Sequence, residues 1–253
     1  MANPEAFSVR GLPHEEGLRR ALEFAAGRAH QRGTGIGIAV HQKSNLDGII
    51  AGLLGDAAVK ALKKHGTVNL SGVQIDLITL RSAPARFSGP VIAAWAEKSL
   101  LDRVSEISGA TDVIALPWGP HDAGLEAWMA AHQATDILSG QNAAGPDVDP
   151  VVQEGLKVLS SMVNVSTGVS HPSDRALAIE IFRLLRGAGR SIDPASVRAW
   201  LLAQEWKPSH ADAVSDIVVG VLEGRRFRDA REVLRSGIIE QWIKAAGDTE
   251  ATR

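Results

Sequence analysis

Two polar stretches carry most of the side chains that could do chemistry. The first is 41–45, HQKSN, which follows the apolar run 35–40, GIGIAV. It sits where a buried strand gives way to a helix, and the free N–H groups of a helix start favour anions. His41, Lys43 and Asn45 are therefore candidate ligand contacts. The second is 163–175, VNVSTGVSHPSDR. Ser166 and Thr167 supply hydroxyls beside Gly168. His171 precedes Pro172, which biases it toward an extended backbone, and Ser173, Asp174 and Arg175 open a helix. Ser166, Thr167, His171 and Asp174 form a second candidate set for a polar or anionic ligand. Both stretches also have a plain structural reading, a turn followed by a capped helix.

The histidines raise a third arrangement. His41, His121 and His171 all fall in loops. Converging with Asp122 or Asp174, they would suit a metal, or a general base oriented by a carboxylate. No H-x-x-x-H or H-E-x-x-H spacing supports this, and lone loop histidines are ordinarily solvated. We assign no metal site. The nucleotide-binding patterns G-x-G-x-x-G and G-x-x-x-x-G-K-[ST] are missing, as is the G-x-S-x-G nucleophile elbow. Gly33, Gly35 and Gly37 lie before and inside a strand, the wrong place for a dinucleotide fingerprint. No motif fixes a reaction, a catalytic residue or a cofactor.

Composition narrows the remaining classes. The 253-residue chain has 45% hydrophobic and 22% charged residues, a net charge of −2 and no cysteine. Disulfides, thiolate nucleophiles, zinc–cysteine sites and iron–sulfur clusters are excluded together. Acidic residues slightly outnumber basic ones before Pro150, and the two nearly balance after it. Nucleic-acid binding is not expected from charge. No apolar run approaches the ~20 residues of a membrane span, and the N-terminus lacks a signal pattern. A cytoplasmic, membrane-free protein is the expectation. Arg- and Ala-rich usage gives the composition a bacterial cast.

The elements that must position the candidates follow from periodicity. Helical spacing covers 13–32, about 45–65, 99–108 and 122–138. Strand-like runs occupy 35–40, 73–80, 91–96 and 112–117. The alternation implies a mostly parallel sheet covered on both faces. The second and third runs are joined by the Pro/Gly-rich segment 81–90 alone, so they are antiparallel or conceal a short helix. Beyond 163–175 the pattern is purely helical, with starts at Ser173, Asp193-Pro194, Ser209 and Asp229.

The expected fold is α/β: a Rossmann-like, mostly parallel sheet of about four strands in residues 1–145, then an all-helical domain, 146–253, with 163–175 as its junction loop. Ligands of open α/β sheets sit beyond the carboxyl ends of the strands. Here those ends are 41–45, 81–86, 97–99 and 118–122. The expected function is binding of a small polar or phosphorylated ligand between that edge and 163–175. An alternative is an interaction or structural protein acting through its helices or a homo-oligomer contact. A third is a DNA-binding regulator, since 194–206 and 211–223 have helix-turn-helix lengths. The would-be recognition helix, ADAVSDIVVGVLE, offers no Arg, Lys, Asn or Gln to base edges, which ranks that reading last.

Overall fold

The computed structural model describes residues 4–119 and 123–250. The chain divides into two compact units, Met1–Ala144 and Gly145–Arg253. The first is an α/β unit and the second is helical.

The first unit holds β1 (Glu5–Ser8), α1 (His14–Arg32), β2 (Ile36–Val40), α2 (Ile49–Leu54), α3 (Asp56–His65), β3 (Thr67–Leu70), β4 (Val73–Thr79), β5 (Arg86–Ala93), α4 (Lys98–Ser105), β6 (Ser108–Ala115), α5 (Ala123–His132) and β7 (Thr135–Asp136). The sheet has seven strands in the order β3-β4-β2-β5-β6-β1-β7. All pairings are parallel except β3 with β4. Four strands were expected. The other three are short: β1 and β7 have four and two residues, and β3 is a half-exposed edge strand. Such segments owe their strand state to pairing partners rather than to their own pattern.

Side chains alternate across the sheet with period two. Ile36, Ile38, Val40, Ile75, Leu77, Ile92 and Ile114 point to one core, shared with Leu18, Ala21 and Ala25 of α1, Ile50 of α2 and Leu62 of α3. Ala39, Ile78, Val91, Ala93, Val113 and Ala115 point to the other, shared with Leu100, Leu101 and Val104 of α4 and Leu125, Trp128 and Met129 of α5. Helices therefore cover both faces.

Three local differences have physical reasons. β4 and β5 both run parallel to β2 and flank it. The segment 80–85 crosses back over the second face, where Leu80 and Ala83 join the core. Residue 89 then approaches the neighbouring strand so closely that only glycine fits: its φ is +137°, and an added Cβ would lie 2.2 Å from the Gly35 carbonyl oxygen. The helix expected over 45–65 is broken at Gly55, whose φ is +89°. The helix expected over 122–138 ends at His132, because Gln133 adopts a φ of +47°. Thr135 and Asp136 then pair with Phe7 and Ser8 of β1.

A buried ion cluster fixes α1 on the sheet. Asp112 of β6 is fully buried, and its Oδ1 lies 2.8 Å from Arg28 Nε. Its Oδ2 accepts from Arg32 and, at 2.6 Å, from Thr111 Oγ1. Glu5 of β1 also pairs with Arg28 and Arg32. One carboxylate thus anchors the last turns of α1 while its first turn reaches the opposite, carboxyl edge of the sheet.

The second unit holds α6 (Pro150–Met162), α7 (Pro172–Gly187), α8 (Pro194–Ala203), α9 (Pro208–Leu222) and α10 (Ile238–Glu250). The first four begin on proline, whose fixed φ suits a first helical position and whose missing N–H is no loss there. Asp149 accepts from Val151 N–H at 2.8 Å and pairs with Arg190 at 2.7 Å, joining the start of α6 to the chain beyond α7. Arg198 of α8 reaches Asp212 of α9 at 2.6 Å. The helix expected from Asp229 starts nine residues later, at Ile238. Glu180 Oε2 of α7 accepts the Val233 and Leu234 N–H groups at 2.6 and 2.9 Å, which holds that stretch as an irregular strap.

Asp112→Ala would remove the buried carboxylate and leave Arg28 and Arg32 with only the exposed Glu5 as partner. Removing one partner of a buried pair costs about 3–5 kcal/mol. Urea denaturation should show a loss of that size; a loss below about 1 kcal/mol would show that the cluster is solvated.

Candidate functional site

Connections that leave neighbouring parallel strands for opposite faces open a crevice between them at the carboxyl edge. The sheet has this arrangement between β6 and β1, whose chains go to α5 on one face and α1 on the other. It recurs between β5 and β2, whose chains go to α4 and to the 3-10 turn Lys43–Leu46 that precedes α2. A crevice of about 510 Å³ lies at the first place, lined among others by Arg10, His14, Trp118, Glu126 and Asp136. One of about 250 Å³ lies at the second, lined by His41, Gln42, Asn45, Trp95, Glu97 and Trp118 among others. Trp118 borders both.

Trp95 is the unusual residue of this edge. Its φ is +51°. A bulky side chain in that region is an outlier, and such strain costs on the order of 1–3 kcal/mol. The cause lies in the strand's alternation. Ile92 and Ala94 belong to the α1-side core, and Val91, Ala93 and Ala96 to the other. Alternation would send residue 95 to the second face. The left-handed turn sends the indole to the α1 side instead.

There it meets His14 and Trp118. The His14 and Trp118 rings stack at 5.2 Å, Trp118 meets Trp95 edge-on at 6.1 Å, and His14 lies 6.3 Å from Trp95. His14 Nε2 also lies 2.9 Å from the Trp118 carbonyl oxygen. A carbonyl only accepts, so Nε2 carries the proton in that contact. Trp95 is 9% exposed, whereas Trp118 is 62% exposed.

Two polar atoms here are buried without a hydrogen-bond partner: Trp95 Nε1 and His41 Nε2. Each such atom costs about 1–3 kcal/mol. Glu97 Oε2 approaches His41 Nε2 only to 3.9 Å. The nearby acids differ in use. Asp136 Oδ1 is spent on the N–H groups of Leu138 and Ser139 and on the Ser139 hydroxyl, at 2.8 to 3.1 Å. Glu126 pairs with Arg10 at 3.7 Å.

The residues singled out in the sequence divide between the units. His41 and Asn45 line the smaller crevice. Asn45 Oδ1 also accepts the Gln42 N–H at 2.9 Å. Lys43 turns away to cap α3, its Nζ donating to the Lys63 carbonyl at 2.7 Å. Ser166, Thr167, His171 and Asp174 belong to the second unit and bond locally. Asn164 Oδ1 accepts from the Ser166 hydroxyl at 2.7 Å, and Thr167 Oγ1 donates to the Asn164 carbonyl at 3.1 Å. His171 Nδ1 lies 2.8 Å from Ser173 Oγ, which also contacts Asp174 Oδ1 at 3.1 Å. His121 and Asp122 lie outside the described residues. Of the segment 81–86, only the beginning stands at the carboxyl edge, since Arg86 pairs with Ser108 at the other end of the sheet.

His14, Trp95 and Trp118 were not among the sequence candidates. His14 was hidden because β1, which delivers it to the edge, was not recognised. Trp95 had a visible signal: a lone large ring closing the alanine-rich run VIAAWA.

Among the described residues, no group of three or more His, Asp or Glu side chains is placed to hold a metal ion. No helix there is long and apolar enough to cross a membrane. The helical unit has its own hollow of about 570 Å³, between α7, the strap and the start of α10. Glu180, Arg183, Arg231, Glu232, Arg235 and Glu240 mix both charges around it.

Residues 148–243 match the model of a family described as a domain of unknown function, DUF1889. The match falls within the helical unit and covers fewer than half of the residues. No curated protein and no solved structure matches the chain.

The two tryptophans should differ sharply when removed. Trp95→Ala deletes a buried ring and should cost about 3–5 kcal/mol in urea denaturation. Trp118→Ala touches an exposed ring and should stay within about 0.5 kcal/mol. Equal losses would contradict the burial described.

Proposed function

We propose that the α/β unit binds a small polar molecule at the carboxyl edge of its sheet, in the crevices bordered by His14, His41, Trp95 and Trp118. The observation that carries this reading is the strained, buried Trp95, with an unpaired N–H beside a second unpaired buried atom, His41 Nε2. Strain and missing partners gather where the rest of the structure over-determines them, and such clusters favour functional edges. By analogy, Rossmann-like sheets place their ligands at such switch points.

The phosphorylated variant of this reading gains less support. Lys43 is occupied at the end of α3, Arg10 faces Glu126, and Glu97 stands at the smaller crevice. Few cations remain for a phosphate, so a neutral polar ligand fits better. A cytoplasmic setting is part of the proposal.

A second reading places function in the helices. The family match is confined to them, which favours a role for that unit apart from the sheet, as a docking surface or a contact between copies. Duplex DNA as its partner is disfavoured, because Ala211, Val214, Ile217, Val218 and Val221 of α9 are buried.

A thermal-shift screen against nucleosides, sugars, sugar phosphates and divalent metals tests the first reading. A ligand of the folded state present at ~100 times its dissociation constant adds about 2.7 kcal/mol. Wild type and His171→Ala should both shift, and His41→Ala should shift less. A shift lost only in His171→Ala would move the site to the helical unit. No shift at all would favour the docking reading.

A further inference from the structure

We infer that the molecule bound at the carboxyl edge carries a planar unsaturated ring with a hydrogen-bond acceptor on its rim, and that Trp118 is the movable side chain that admits it. This rests on the small-molecule reading of that edge and names its ligand class.

The first part follows from the inventory of the edge. An indole N–H donates and never accepts. Trp95 Nε1 is buried and unpaired, so the partner that would satisfy it must present a lone pair: a carbonyl oxygen, a ring nitrogen or a carboxylate oxygen. His41 Nε2, unpaired in the same crevice, accepts or donates according to its tautomer and can read a second rim atom. Trp118 stacks on His14 at 5.2 Å and is 62% exposed, which leaves aromatic surface open to solvent. A planar ring is the shape that such a surface recognises without reading sequence or stereochemistry.

The competing aromatic use is a cage for an ammonium group. A caged cation sits within about 6 Å of each ring centroid with the rings held apart around it. Here the three rings already touch, their centroids 5.2, 6.1 and 6.3 Å from one another. No room for a cation remains between them, and the unpaired N–H of Trp95 would repel one.

The second part follows from burial. Trp95 Nε1 is closed to water as the site stands. An incoming acceptor meets it only after a neighbouring ring turns aside. Trp118 is the neighbour with open space around it, while His14 is tied through its Nε2 to the Trp118 carbonyl. That contact holds the Trp118 backbone and leaves the ring to rotate about its side-chain bonds. Trp118 is a cover when the edge is empty and a platform when it is filled.

The test is direct titration of guanosine, uridine and nicotinamide, with ribose 5-phosphate as the non-planar probe, against wild type, Trp95→Phe and Trp118→Ala. Trp95→Phe keeps an aromatic ring and removes the donor. A hydrogen bond is worth about 0.5–1.5 kcal/mol, so affinity for the planar probe that binds should fall up to about tenfold. Trp118→Ala removes the stacking surface, worth about 1–3 kcal/mol, so affinity should fall at least fivefold. Four results would overturn the inference. Planar probes unaffected by Trp95→Phe would remove the acceptor. Planar probes unaffected by Trp118→Ala would remove the platform. Ribose 5-phosphate binding alone would remove the planar class and leave the small-molecule reading standing. No binding by any probe would remove both.

Discussion

Strands that are apolar on both sides must be covered on both sides. Ile38 and Ala39 of β2, like Ile92 and Ala93 of β5 and Ile114 and Ala115 of β6, face opposite cores. That requirement sends the connections of this sheet to both faces, α1, α2 and α3 on one and α4 and α5 on the other. Where adjacent strands send their chains opposite ways, the carboxyl edge splits. Both crevices described above follow from this one constraint, before any particular side chain is considered. The ion cluster around Asp112 serves the same end: with α1 anchored at its last turns, its first residue, His14, is held at the split between β6 and β1.

The edge then carries local costs that the fold does not need. A glycine would take the left-handed backbone at residue 95 without strain, yet tryptophan stands there with its indole N–H unpaired. His41 Nε2 adds a second unpaired atom. Within this unit Asp136 caps its own turn, Thr79 Oγ1 meets Ser82 Oγ at 2.7 Å, and Trp128 Nε1 reaches Ser105 at 2.9 Å, whereas Ser8 Oγ and Thr34 Oγ1 are buried without a hydrogen bond as well. What singles out this edge is that a buried tryptophan with left-handed backbone and a second unpaired side chain, His41, line one crevice.

The long, strongly patterned elements were legible in the sequence. The runs at 35–40, 73–80, 91–96 and 112–117 declare themselves by apolar content, and the helical starts near Ser173 and at Asp193-Pro194 by their punctuation. Strands β1, β3 and β7 were not legible, because two to four residues of mixed polarity become strand only through partners distant in sequence. The break at Gly55 and the late start of α10 were hidden for related reasons: one depends on a backbone angle and the other on a carboxylate from α7. For the site, chain position was readable and roles were not. The ends 41–45, 97–99 and 118 do lie at the carboxyl edge, so the position of His41 there was legible. Lys43 and the group Ser166, Thr167, His171 and Asp174 were chosen for their polarity, and polarity alone cannot show that such groups are occupied by their own neighbours. Trp95 stood out in the sequence as the one large ring of the run VIAAWA, but the reversal of its face, which sends the indole to the α1 side, is recorded by no residue pattern.

The most direct test of this account is a proton–nitrogen spectrum of the six tryptophan indole groups, recorded while a pool of planar carbonyl-bearing compounds is titrated in. The account predicts that the Trp95 and Trp118 signals move together and saturably. Those of Trp128, Trp200, Trp206 and Trp242 should hold their positions. Shifts confined to Trp200, Trp206 and Trp242 would place the binding site in the helical unit and contradict the account.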